Sequence, residues 1–86
     1  MLLVPYERLV SARKKAVGSK ETLKTVERGQ AKIVYVAKNA ERRITEPVIR
    51  ACQARGTPIV EVPSMRELGR ACGISVNCAS AAVIEE

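Results

Sequence analysis

Apolar positions in this chain switch between helical and strand spacing, and the switches mark its elements. Tyr6, Leu9, Val10 and then Ala16 or Val17 recur with helical period. They predict a first helix from Pro5 to Lys15, with proline in its first turn and Arg13, Lys14 and Lys15 in its last. Leu23 and Val26 give the inner face of a second helix, with Ser19 as N-cap and Gly29 as its stop. Ile33 to Ala37 is an unbroken, largely β-branched run, the mark of a strand buried on both faces. A third helix follows, under way by Thr45, whose hydroxyl can cap a first turn with Glu46 and Pro47; Val48, Ile49 and Cys52 face inward and Gly56 ends it. A strand over Ile59 to Val62 follows. Ser64 and Glu67 form a capping box that opens a fourth helix, with Leu68 and Ala71 inward and Gly73 closing it. Residues 74–77 read as a loop, and the small and β-branched residues from Ala79 to Ile84 as the last strand.

Strands alternating with helices imply an α/β fold with parallel pairing, right-handed crossovers and helices on both sheet faces. Eighty-six residues make a single domain, residues 1–86, with no internal repeat or linker.

Charge sharpens this picture. The net +6 lies wholly in residues 1–38, which hold nine basic and three acidic residues, while residues 39–86 hold six of each. Solubility does not require such segregation; a surface for a polyanion does. No apolar run approaches the ~18 residues of a membrane span, and helix 2 has too narrow an apolar face to insert in a bilayer. Three cysteines, Cys52, Cys72 and Cys78, show no paired spacing and there is no histidine, so no metal or other cofactor is expected. They read as reduced, buried residues of a cytoplasmic protein. With no histidine, no aspartate and no phosphate-binding P-loop, the chain reads as a non-enzyme.

The candidate chemistry gathers between Gly18 and Gly29. Gly18 permits backbone angles that a side chain forbids. Lys20, Lys24 and Arg28 follow at i, i+4 and i+8, with Glu21 and Glu27 placed to pair with Lys24. Two like-charge pairs on so short a helix cost roughly 0.2–0.5 kcal/mol each. The stripe is either a solvated face or the wall of an anion-binding corner built on free helix amides. Glu21 sets one acceptor among the donors, which suits a base edge better than phosphate alone. The 74–77 loop likewise has two readings: Ile74 and Val76 plug the sheet edge, or they form an apolar pad for an unstacked base. Tyr6 and Tyr35 are the only aromatics, too few to stack successive single-stranded bases.

Gly18-Ser19-Lys20-Glu21-Thr22-Leu23-Lys24, Val26-Glu27-Arg28-Gly29 and Ala31-Lys32-Ile33-Val34 together resemble the signature of the kink-turn RNA-binding family of ribosomal protein L7Ae. Val62-Pro63-Ser64, Leu68-Gly69, Ala71-Cys72-Gly73-Ile74 and Ala79 to Val83 continue the match along nearly the whole chain. The short length and Ser64-Met65 most resemble the small bacterial members.

The resemblance implies a three-layer α-β-α sandwich on a central four-stranded mixed sheet, with a short added strand near Ala16 to Gly18. It implies that Glu21 accepts hydrogen bonds from guanine edges at tandem sheared G·A pairs, that Lys24 donates to guanine acceptors, and that the Gly18-Ser19 turn approaches RNA closely. Ile74, Ser75 and Val76 match a loop that packs on a flipped-out base, and Arg28 a position that contacts the RNA backbone. Lys14 and Lys15 are added on charge alone, and Lys32 is expected to give attraction of no sequence preference. Lys20 stands where the family commonly carries asparagine, and Met65 where archaeal members carry lysine; both imply more reliance on phosphate. The function so implied is stabilisation of kink-turn RNA by a monomer, whether ribosomal RNA or a riboswitch. The alternative is a ribosome-associated structural protein or adaptor that works mainly through protein contacts.

Overall fold

Five consecutive buried residues, Ile33–Ala37, form β2 and divide the core in two. In the computed structural model, which describes residues 6–86, strand alternation sends Ile33, Tyr35 and Ala37 to one face and Val34 and Val36 to the other. The first set packs with Leu9, Leu68 and Cys72, the second with Val26, Val48 and Cys52. Helices α1 (Glu7–Ser11) and α4 (Met65–Cys72) therefore cover one face of the sheet, and α2 (Ser19–Glu27) and α3 (Arg42–Arg55) the other. The result is the expected three-layer sandwich.

The four strands lie in the order β1 (Lys14–Val17), β4 (Ser80–Glu85), β2, β3 (Ile59–Val62). Only β2 and β3 are parallel; β4 runs antiparallel to both of its neighbours. All-parallel pairing, which the alternation of elements suggested, is thus corrected. The cause is the turn after α4: the Cys78 amide donates to the Met65 carbonyl at 3.0 Å, so the chain returns to the start of α4 before entering β4. It enters the sheet at the end where β3 left it, and must run backwards.

The first helix is also corrected. It ends at Ser11, Ala12 is extended, and Lys14–Val17 form the short edge strand that the resemblance implied. Pairing with β4 places Ala16 opposite Ala82 in the core, which outweighs the helical spacing of a segment with three successive cations. Lysines on an edge strand also discourage pairing with other chains. Pro5 lies outside the described residues.

Helix α3 starts after Glu41, so Thr45 does not cap it but lies buried inside it, with its hydroxyl donating back to the carbonyls of Glu41 and Arg42 at 3.5 Å. Helix α4 is capped as expected by Ser64, whose hydroxyl accepts from the Glu67 amide at 3.1 Å. The Glu67 carboxylate takes a bond from the Tyr6 hydroxyl at 3.3 Å, tying α1 to α4.

Candidate nucleic-acid interface

The carboxyl ends of β1, β2 and β3 meet at one end of the sheet, where α/β folds place their ligands. Gly18 turns the chain from β1 into α2 with φ 96° and ψ 152°, a conformation essentially restricted to glycine. A Cβ there would meet nothing within 4 Å, so its outer side is open. The Gly18 amide donates to the Ser80 carbonyl at 2.9 Å, which anchors the turn to β4.

Ser19 does not cap the helix. Gly18 is the cap residue, and Ser19, the first helical residue, shares a 2.6 Å hydrogen bond with the Ser80 hydroxyl instead. The first bond inside the helix runs from the Thr22 amide to the Gly18 carbonyl, at 2.9 Å. The amides of Ser19, Lys20 and Glu21 therefore have no helical partner and no side-chain cap, and point out of the positive end of α2.

Lys20, Glu21, Lys24 and Arg28 are all exposed along this helix. The expected pairing of Glu21 and Glu27 with Lys24 is absent: none of these side chains joins an ion pair among the described residues. Thr22, Thr25 and Val26 face inward, and Leu23 is half-buried. At the far end, Arg55 from α3 donates to the Glu27 carbonyl. A glutamate and a lysine thus stand uncommitted three residues apart, beside free amides.

The loop adjoining this corner is held firmly. Its entry is fixed by the Ile74 amide on the Gly69 carbonyl and its exit by the Cys78 amide on the Met65 carbonyl, both at 3.0 Å. Its two apolar residues are placed differently. Ile74 packs partly into the core, whereas Val76 is 66% exposed, more than any other large hydrophobic among the described residues. Ser75 and Asn77 are exposed.

Behind the loop, Cys72 and Cys78 bracket it, and all three cysteines are free and buried. The Cys78 thiol contacts Cys72 and donates to the Ser80 carbonyl at 3.0 Å. The neighbouring Cys72 thiol and the Gly18 backbone draw its pKa down, against the opposite push of burial. The Cys78 thiol and burial in turn push Cys72 up.

Lys38 and Asn39 directly follow β2 and carry no role in the sequence pattern. Both are exposed at this end of the sheet, and the Asn39 side-chain oxygen accepts from the Met65 amide at 2.9 Å, fixing the start of α4. An asparagine after a strand is common turn chemistry, so no local signal marked it.

Lys14, Lys15 and Lys32 do not join the corner. Lys14 pairs in register with Glu85 at the opposite end of β1, about 10 Å of extended strand from Val17. Lys15 donates to the Val10 carbonyl at 3.4 Å, and Lys32 precedes β2 at the same remote end.

Together these features define a small three-layer α/β domain that presents a basic helix start and an ordered loop at the carboxyl ends of its strands. The chain belongs to the ribosomal protein L7Ae/L30e/S12e/Gadd45 family, whose family model matches residues 6–86. It is similar to an RNA-binding protein of Caldanaerobacter subterraneus, 45% identical over 69 residues that cover 80% of this chain and 84% of that protein. It is also similar to RNA-binding protein YbxF of Geobacillus stearothermophilus, 37% identical over 79 residues, or 92% of this chain and 96% of the relative. Among solved structures, the Giardia lamblia 15.5kD RNA binding protein superposes with a TM-score of 0.77 at 34% identity, covering 94% of this chain and 68% of that one.

Proposed function

We propose that this chain is a non-enzymatic RNA-binding module that recognises kink-turns, acting as a monomer in the reducing cytoplasm. The reading is supported by relatives named as RNA-binding proteins and by one observation above all: the unpaired Glu21 and Lys24 stand beside the free amides of Ser19, Lys20 and Glu21. In this reading the Gly18-Ser19 turn lets RNA approach the amides. Glu21 accepts from guanine N–H groups, and Lys24 donates to guanine O6 and N7. Lys20 and Arg28 hold flanking phosphates. Val76, with Ser75 beside it and Ile74 beneath, receives an unstacked base.

Free RNA exchanges between extended and kinked forms, and a protein that binds only the kinked form shifts that population by its differential affinity. The test is calorimetry with a kink-turn RNA and with the same RNA after its tandem G·A pairs are replaced by Watson–Crick pairs. Binding to the first at least tenfold tighter than to the second is expected. Equal affinity for both would leave only a non-specific polyanion surface.

A further inference from the structure

The carboxyl-terminal half of the chain is neutral overall, yet its charges are unevenly committed. Glu41 and Glu46 pair with Arg43 and Arg50, Glu86 pairs with Arg8, and Glu67 takes the Tyr6 hydroxyl. Arg55 donates to the Glu27 carbonyl and Arg42 stands alone on α3, whereas α4 carries two exposed cations, Arg66 and Arg70, that among the described residues join no ion pair. They lie at i and i+4 on α4, where like charges oppose each other unless an anion sits between them.

These arginines open onto a pocket of about 240 Å³ whose other wall is Ile74, Ser75, Val76 and Asn77. Its polar lining residues are two arginines, a serine and an asparagine, and no acidic residue is among them. The pocket is built rather than incidental, because its loop wall is bonded to α4 at Gly69 and Met65. The same loop carries Val76, the exposed pad of the proposed interface.

We infer that Arg66 and Arg70 grip a phosphodiester of the bound RNA, next to the nucleotide received by Val76. The inference rests on the proposed RNA-binding reading and extends its footprint from α2 to α4. Guanidinium forks match phosphate oxygens bidentately, and a rigid loop wall leaves little ordering to be done on binding.

The test measures kink-turn affinity between about 50 and 200 mM salt for the natural protein and for the doubly substituted Arg66→Gln/Arg70→Gln chain. Both residues are exposed, and a thermal melt checks that the variant keeps its fold. The slope of log K against log salt is expected to shrink by about one, with affinity at low salt falling about tenfold. A scan with single neutral methylphosphonate linkages should find one position that weakens the natural protein and leaves the variant unaffected. If the natural protein prefers the kink-turn but the variant keeps its slope, or no linkage behaves this way, Arg66 and Arg70 do not hold a phosphate. If the natural protein shows no preference for the kink-turn, the underlying reading fails, and this inference with it.

Discussion

The carbonyl oxygen of Val76 lies 2.1 Å from where a Cβ on residue 69 would stand, so the loop rests on α4 only because position 69 is glycine. Elsewhere in a helix, glycine to alanine gains up to about 1 kcal/mol of propensity. Here the intruding methyl meets backbone, which cannot swing aside as a side chain would. Gly69→Ala should therefore destabilise the fold by about 1–3 kcal/mol and weaken RNA binding by moving Val76 and the pocket beneath it. Denaturant unfolding and calorimetry on the same variant check both effects. A stabilised variant would mean the loop does not lie against the helix.

Much of this arrangement could be read from sequence wherever the signal was local. The apolar run of β2, the Ser64 cap and the glycine ends of α3 and α4 each follow from residues within one turn or strand. What escaped depended on distant partners. Lys14 and Lys15 resemble a helix end until β4 pairs with them, and the direction of β4 depends on a bond between Cys78 and Met65. The same limit applies to the interface. Clustering of charge in the first 38 residues marks the start of α2, but it also draws in Lys14, Lys15 and Lys32, which strand geometry carries to the other end of the sheet. It passed over Arg66 and Arg70, because a neutral total hides cations whose neighbouring carboxylates are engaged elsewhere.

Thr22 is fully buried in α2, and its hydroxyl has no hydrogen-bond partner among the described residues. A buried unpaired hydroxyl costs about 1–3 kcal/mol. Valine keeps the branched shape and has nearly the same helix propensity. Thr22→Val should accordingly stabilise the protein by about 1 kcal/mol, a rise in Tm of about 4–8 °C for a domain of this size. Scanning calorimetry reads this directly; a lower Tm would show that the hydroxyl has a partner.

Alkaline pH should loosen the fold through its tyrosines. Burial, then the Glu67 carboxylate, raise the Tyr6 phenol to about 12, and burial raises Tyr35 as well. The folded chain then keeps these protons in a range where the unfolded chain, with phenols near 10, has begun to release them. Stability is unaffected below about pH 10 and falls as pH rises from there toward 12, because the unfolded state binds fewer protons. Absorbance at the tyrosinate band should accordingly develop above pH 10, and Tyr6→Phe should flatten the pH dependence of denaturant unfolding. Half-ionised tyrosines at pH 10 in the folded protein would contradict the burial argument.

Glu21, Lys24 and Lys32 should separate base reading from simple charge attraction. Glu21 is an anion facing a polyanion, so removing it from a purely electrostatic surface should strengthen binding to every RNA. If its carboxylate instead accepts from guanine, Glu21→Ala should weaken kink-turn binding by about 1–3 kcal/mol while plain duplex binding holds or improves slightly. Lys24→Ala should weaken the kink-turn by a similar amount and the duplex less. Lys32, although equally cationic, lies at the remote end of the sheet, beyond a Debye length of about 8 Å in physiological salt, and its replacement by alanine should change neither RNA appreciably. Gel shifts of the three variants on the two RNAs suffice, because the signs differ. Equal losses for Glu21→Ala on both RNAs would remove the base-reading role, and a large loss for Lys32→Ala would place the RNA on the opposite end of the molecule.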